Sequence, residues 1–159
     1  MSALARGWLL YRPDPGLVKQ ESYEIDRFLE VAPQHGYELT VVDPDEVNLL
    51  VDAEGADAVA VAGEQVPLPD FVIPRLGSMT GYFALAVIRH LEHLGVFCLN
   101  GADAVALAQD KLHQLQVLAD HGFPVPKTLL VKFPVDTEMV EKELGFPVVV
   151  KTLVGTQGS

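Results

Sequence analysis

The stretch WLLYRPDPGLVKQESYEIDRFLEVAPQHGYELTVV, residues 8–42, decides the fold. It opens with a short apolar run, Trp8–Tyr11, which a turn rich in Pro and Gly brings to an end. Apolar residues then recur at helical spacing, at Ile25, Phe28, Leu29 and Ala32. Leu39–Val42 is a second short run of apolar and β-branched residues, typical of a strand. A strand, a helix and a strand in this order predict two parallel strands, and so an α/β fold.

The alternation of strands and helices continues to about residue 100. Residues 48–69 hold short apolar runs separated by glycines, which predict a hairpin-like excursion. Phe71–Ile73 predicts a buried strand that ends at Pro74 and Arg75. An amphipathic helix is expected over residues 84–94, and Val96–Leu99 predicts another strand. Together these elements predict a sheet rich in parallel strands.

A second group of elements follows a boundary that we expect near residue 100. Asn100–Asp103 has the form of a capping box, with an acid three residues after a capping side chain. Helical periodicity then reaches residue 121, as two helices that meet near Asp110. A further helix is predicted over residues 136–144, between two predicted strands, Thr128–Val131 and Pro147–Val150.

The composition limits the classes of partner. The 159 residues include 22 Asp and Glu against 11 Lys and Arg, for a formal net charge of −11. A chain this acidic is poorly suited to bind nucleic acid or an anionic membrane, since both carry negative charge. Its single cysteine, Cys98, excludes an internal disulfide. We find no signal peptide and no apolar run long enough to span a bilayer, and we therefore expect a cytoplasmic protein.

Three cationic side chains are candidates for anion binding. Lys151 follows the predicted strand Pro147–Val150 and precedes Gly155–Gly158, an arrangement suited to phosphate at the end of a strand. The order of lysine and glycines differs from a Walker A loop. Lys111, at the helix junction, could bind the same ligand together with Lys151, because two lysines are suited to hold the several negative charges of a nucleotide triphosphate. Arg75, after a buried strand, could hold a carboxylate. The alternatives are a solvated lysine beside a turn and, for Arg75, a structural ion pair.

A series of motifs in one order resembles the RimK-like ATP-grasp ligases, the alpha-L-glutamate ligase or ribosomal protein modification family. The series comprises Val72–Gly77, Asn100, Gln109–Lys111, Gly122–Pro126, Phe146–Lys151 and Gly155–Gly158. The resemblance covers nearly the whole chain. It implies that residues 1–100 are a Rossmann-like pre-ATP-grasp α/β domain and that residues 101–159 begin an ATP-grasp domain.

The same resemblance implies a ligase that uses ATP and Mg²⁺. Its ATP-binding residues would be Lys111, Lys151, Gly155, Thr156, Gln157 and Gly158, and Arg75 is our candidate substrate contact. ATP would activate a carboxylate as an acyl-phosphate, and an amine would then form the amide, with glutamate and a carboxylate acceptor as substrates. The resemblance assigns no catalytic residue and no metal ligand in this chain, since the ligands of Mg²⁺ are expected beyond its end.

We therefore expect the chain to be the N-terminal portion of a longer enzyme and to be inactive alone. Apolar surface left open by the last strand and loop would favour a homo-oligomer. The alternative is a non-catalytic α/β module for ligand binding or protein interaction, in which Lys151 and the glycines form only a strand end and a turn.

Overall fold

A computed structural model describes residues 4–12, 21–52, 58–77 and 80–152. The chain divides into two compact units, Met1–Val105 and Ala106–Ser159. Gly155, Thr156, Gln157 and Gly158 lie outside the described residues. Along the described part of the chain, no helix is long and apolar enough to cross a bilayer.

The first unit is an α/β structure whose elements alternate as predicted. Its strands are β1 (Ala5–Leu10), β2 (Tyr37–Val42), β3 (Val47–Leu50), β4 (Ala58–Val61), β5 (Glu64–Gln65), β6 (Phe71–Pro74) and β7 (Phe97–Cys98). Its α-helices are α1 (Glu21–Val31) and α2 (Tyr82–His93), and α3 (Ala102–Gln109) begins in this unit. Two 3-10 turns, Ala32–His35 and Pro44–Glu46, flank β2.

The main sheet has four parallel strands in the order β2-β1-β6-β7. Leu10, at the end of β1, lies in register with Val42 on one side and with Pro74 on the other. This arrangement confirms the α/β fold and the parallel crossover predicted from residues 8–42. The antiparallel sheet β3-β4-β5 confirms the excursion predicted within residues 48–69.

The core lies between one face of the main sheet and α2. Side chains alternate along a strand, so Trp8 and Leu10 share a face, and both are buried in one cluster with Val72. From α2, the residues Val87, Ile88 and Leu91 belong to the same cluster and are fully buried. Burial of these side chains is the main favourable contribution to folding of the first unit.

Close packing on the opposite face of the sheet explains why position 7 is a glycine. Gly7 lies in register with Phe71, and a Cβ atom at Gly7 would come within 2.3 Å of the Phe71 ring and 2.7 Å of the Leu39 side chain. The Phe71 ring therefore covers the glycine of the neighbouring strand. The ring also contacts Tyr37 edge-on, with ring centroids 5.5 Å apart.

The second unit contains α4 (Lys111–Asp120) and α5 (Thr137–Leu144). The Asp110 carboxylate accepts hydrogen bonds from the N–H groups of Leu112 and His113, at 3.0 and 2.9 Å, and so separates α3 from α4. Asp136 caps α5 in the same way, and Gly145, with φ of 74°, ends it. Both features confirm the helices predicted here.

The two strands predicted in the second unit are wrong. Thr128–Val131 and Pro147–Val150 contain no strand, and Val149 and Val150 are 82% and 84% exposed. A strand is held by hydrogen bonds to a neighbour, and no strand forms within described residues 106–152. Among those residues only Val140 is buried, so there is little core on which an isolated strand could pack.

The predicted capping box at Asn100–Asp103 is also wrong. Asn100 has φ of 76°, in the left-handed region that asparagine tolerates, and α3 begins two residues later. The Glu92 carboxylate, from the last turn of α2, accepts the hydrogen bond of the Ala102 N–H at 3.1 Å. A side chain from a different helix therefore caps α3.

Candidate functional site

The carboxyl edge of the parallel sheet carries the first candidate, Arg75. The residue directly follows β6, and its backbone N–H donates to the carbonyl of Leu10 at 2.8 Å, which fixes it beside the end of β1. Its guanidinium forms an ion pair with Glu24 of α1, and both side chains are about half exposed. The structural ion pair is thus present, on the edge where ligands bind in open α/β sheets.

Sequence reasoning missed a second arginine at this edge. Arg12 lies two residues beyond β1 and forms an ion pair with Asp45 at 3.0 Å. Asp45 belongs to the turn Pro44–Glu46 that follows β2, and its N–H donates to the Asp43 carboxylate at 2.9 Å. The signal that pointed to Arg75, an arginine just after an apolar strand, was equally present at Arg12.

The two candidate lysines both lie in the second unit. Lys111 is the first residue of α4, directly after the capping Asp110, and it is partly buried. Lys151 is exposed and follows the exposed residues Val149 and Val150, which form no strand. Their convergence on one triphosphate stays a prediction, as does the role of Gly155–Gly158. Arg75 lies in the first unit.

A polar junction joins the end of α2, β7 and the start of α3. The Glu92 carboxylate lies where a Cβ atom on Gly101 would be, with Oε1 2.2 Å from that position, so a larger residue at position 101 would displace the Glu92 side chain. Burial, and after it the negative charge of Glu92, raise the pKa of the Cys98 thiol from 9.0 to about 11. Cys98 is therefore a protonated thiol at neutral pH and is poorly suited to act as a nucleophile.

Comparison with known proteins identifies two successive family matches. Residues 17–105 match the RimK PreATP-grasp domain, and residues 108–159 match the RimK-like ATP-grasp domain. The chain is 37% identical over 139 residues to a probable alpha-L-glutamate ligase 1 of Shewanella amazonensis, covering 87% of this chain and 46% of that protein. It is 38% identical over 137 residues to a probable alpha-L-glutamate ligase of Serratia proteamaculans, covering 86% and 45%. The chain thus spans about half the length of these curated relatives.

A solved structure supports the fold. The D-alanyl-alanine synthetase A of Vibrio cholerae aligns with a TM-score of 0.54 at 15% identity, over 88% of this chain and 44% of that protein. At this identity the likeness concerns architecture alone. The first family match covers more than half of the chain, and the second follows it directly. The chain therefore belongs to the RimK family of ATP-grasp proteins.

Proposed function

We propose that this chain provides the pre-ATP-grasp domain and the opening part of the ATP-grasp domain of a carboxylate–amine ligase that joins glutamate to a protein or small-molecule acceptor. The two consecutive RimK matches, with curated relatives named as glutamate ligases, carry this proposal. We place the boundary between the two domains near residue 100, just before α3.

The proposed reaction is ADP-forming and passes through an acyl-phosphate. An oxygen of the substrate carboxylate attacks the γ-phosphorus of ATP, and ADP leaves. The nitrogen of an amine then attacks the acyl carbon and loses a proton, while inorganic phosphate leaves with the electrons of the broken C–O bond. The products are an amide, ADP and phosphate.

Residues of this chain would bind and shield the reacting groups. Lys111 and Lys151 would donate hydrogen bonds to phosphate oxygens, because an ammonium is a compact donor suited to that charge. The backbone of Gly155–Gly158 would close over the triphosphate and keep water from the acyl-phosphate. Arg75 would hold a substrate carboxylate through its planar guanidinium.

Magnesium is implied by the family, but the described residues do not fit it. In the described ranges of the chain, no three His, Cys, Asp or Glu side chains are grouped so that they could hold a metal ion.

We also propose that the protein is cytoplasmic and self-associates. Self-association would cover exposed apolar side chains of the second unit, such as Phe133 at 87% and Val150 at 84% exposure. We expect residues 1–159 by themselves to show no ligase turnover.

The test replaces Lys111 and Lys151 separately by alanine in the full-length protein and measures ATP affinity and glutamate-dependent release of phosphate. Losing a charged hydrogen bond to phosphate should weaken ATP binding by about tenfold or more. Lys132→Ala is the matched control, because Lys132 is an exposed lysine of the same unit. If all three variants bind ATP as tightly as the wild type, the proposed phosphate contacts of Lys111 and Lys151 are refuted. Absence of any ATP binding or turnover in the parent protein would favour the non-catalytic module.

A further inference from the structure

Asn100 lies in the short connection between β7 and α3 and is followed by Gly101. Its side chain is exposed, and its φ of 76° lies in the left-handed region that few residues other than glycine adopt. Among the described residues, no hydrogen bond involves the Asn100 side-chain amide or the Gly101 N–H. The side-chain amide and the backbone nitrogen that follows it are therefore both open to reaction.

We propose that Asn100 is a site of spontaneous deamidation through a succinimide formed with Gly101. The Gly101 backbone nitrogen loses its proton and attacks Cγ of Asn100, and the side-chain nitrogen leaves as ammonia. Glycine favours this step because it has no Cβ atom to hinder its nitrogen and adopts many backbone conformations. Water then opens the ring at either carbonyl carbon, which gives aspartate or isoaspartate. The net reaction consumes one water molecule, releases one ammonia and involves no oxidation.

The 159 residues contain one other asparagine, Asn48, which lacks these features. Asn48 is also exposed, but it lies within β3, in register with Ala60 of β4, and it precedes Leu49. Pairing of the two strands restrains the backbone around Asn48, and the Leu49 side chain hinders attack by the nitrogen of its own residue. Asn48 is therefore a matched control within the same chain.

Isoaspartate at position 100 disrupts the start of α3. Its main chain runs through the former side chain and is longer by one carbon atom, which adds about 1.5 Å. The next two residues leave little room for such a shift. Glu92 Oε1 lies 2.2 Å from the position of a Cβ atom on Gly101, and the buried Ala102 donates its N–H to Glu92 Oε2 at 3.1 Å. A displacement of this size breaks the hydrogen bond, and α3 loses its cap.

The experiment incubates the full-length protein at physiological temperature, at neutral and at mildly alkaline pH, and follows both asparagines by mass spectrometry of tryptic peptides. Arg75 and Arg89 lie between Asn48 and Asn100, so trypsin releases the two asparagines on separate peptides. The Asn100 peptide should gain the mass difference between a hydroxyl and an amino group about tenfold or more faster than the Asn48 peptide. The rate should rise with pH, because the attacking nitrogen must lose its proton. Labelling by protein isoaspartyl methyltransferase measures the isoaspartate fraction.

Two variants separate the effects of the modification. Asn100→Gly suits the positive φ and has no amide to lose, so its stability in urea should not decline during incubation. Freshly prepared Asn100→Asp carries the new charge on a main chain of normal length. The isoaspartate form, isolated by chromatography, should unfold at a lower urea concentration than Asn100→Asp, because only the isoaspartate form has the longer main chain.

Either of two results overturns the proposal: conversion of Asn100 no faster than that of Asn48, or an isoaspartate form as stable as Asn100→Asp. These measurements require neither ATP nor an acceptor substrate. The outcome therefore does not depend on the proposed ligase function.

Discussion

The carboxylate of Glu92, at the end of α2, acts both as a hydrogen-bond acceptor and as a negative charge. Replacing Glu92 by alanine or by glutamine separates these two effects. The Ala102 N–H, on a fully buried residue, donates to Glu92 Oε2 at 3.1 Å. Glu92→Ala removes this acceptor, and loss of a helix cap should lower the free energy of unfolding by about 0.5–2 kcal/mol. Glu92→Gln keeps an oxygen acceptor but loses the charge at the helix N-terminus, for a smaller loss of about 0.3–1 kcal/mol.

Both variants should also lower the pKa of Cys98. The thiol has a pKa of about 11, raised from 9.0 first by burial and then by Glu92. Since burial remains in both variants, the pKa should fall but stay above 9.0. Urea unfolding measures the stability, and ultraviolet absorbance of the thiolate against pH measures the pKa. If Glu92→Ala changes neither quantity, the Glu92 carboxylate does not occupy this position in solution.

Two further predictions concern the first unit. Folding raises the pKa of Cys98 above its ordinary value, so the stability that the protonated thiol contributes is present below pH 9.0 and is lost as the pH rises to about 11. Cys98→Ala should therefore lose less stability than the wild type at alkaline pH in urea unfolding. A loss identical to that of the wild type would contradict this prediction. Gly7→Ala places a Cβ atom 2.3 Å from the Phe71 ring and should lower the free energy of unfolding by about 1–3 kcal/mol; a variant as stable as the wild type in urea would show that the ring moves aside freely.

The sequence predicted elements whose signals are local. The strand–helix–strand order of residues 8–42 appears as β1, α1 and β2, because periodicity and crossover length are properties of neighbouring residues. The break at Asp110 was likewise predictable from a residue type that caps helices.

Features that depend on distant residues were not predictable. The motif Asn100–Asp103 matches the local pattern of a capping box, but the Glu92 carboxylate, from the preceding helix, accepts the hydrogen bond of the Ala102 N–H instead. The apolar runs at Thr128–Val131 and Pro147–Val150 favour strands, but they do not determine which other strand would pair with them. No strand forms there. At the candidate site, the position of Arg75 after a strand was predictable, whereas its partner Glu24 was not.

The unequal burial of the two units affects how nucleotide binding should be interpreted. The first unit has a continuous core under α2, so Arg12 and Arg75 extend from strands that are already ordered. Lys151 follows residues that are almost fully exposed, in a unit whose described residues bury only Val140. Fixing each backbone residue of such a segment around a phosphate costs about 1–2 kcal/mol, and this cost lowers the apparent affinity of any phosphate ligand. A low absolute affinity for ATP is therefore compatible with a phosphate role for Lys151. The decisive quantity is the difference in affinity between Lys151→Ala and Lys132→Ala, because the ordering cost is common to both variants and cancels.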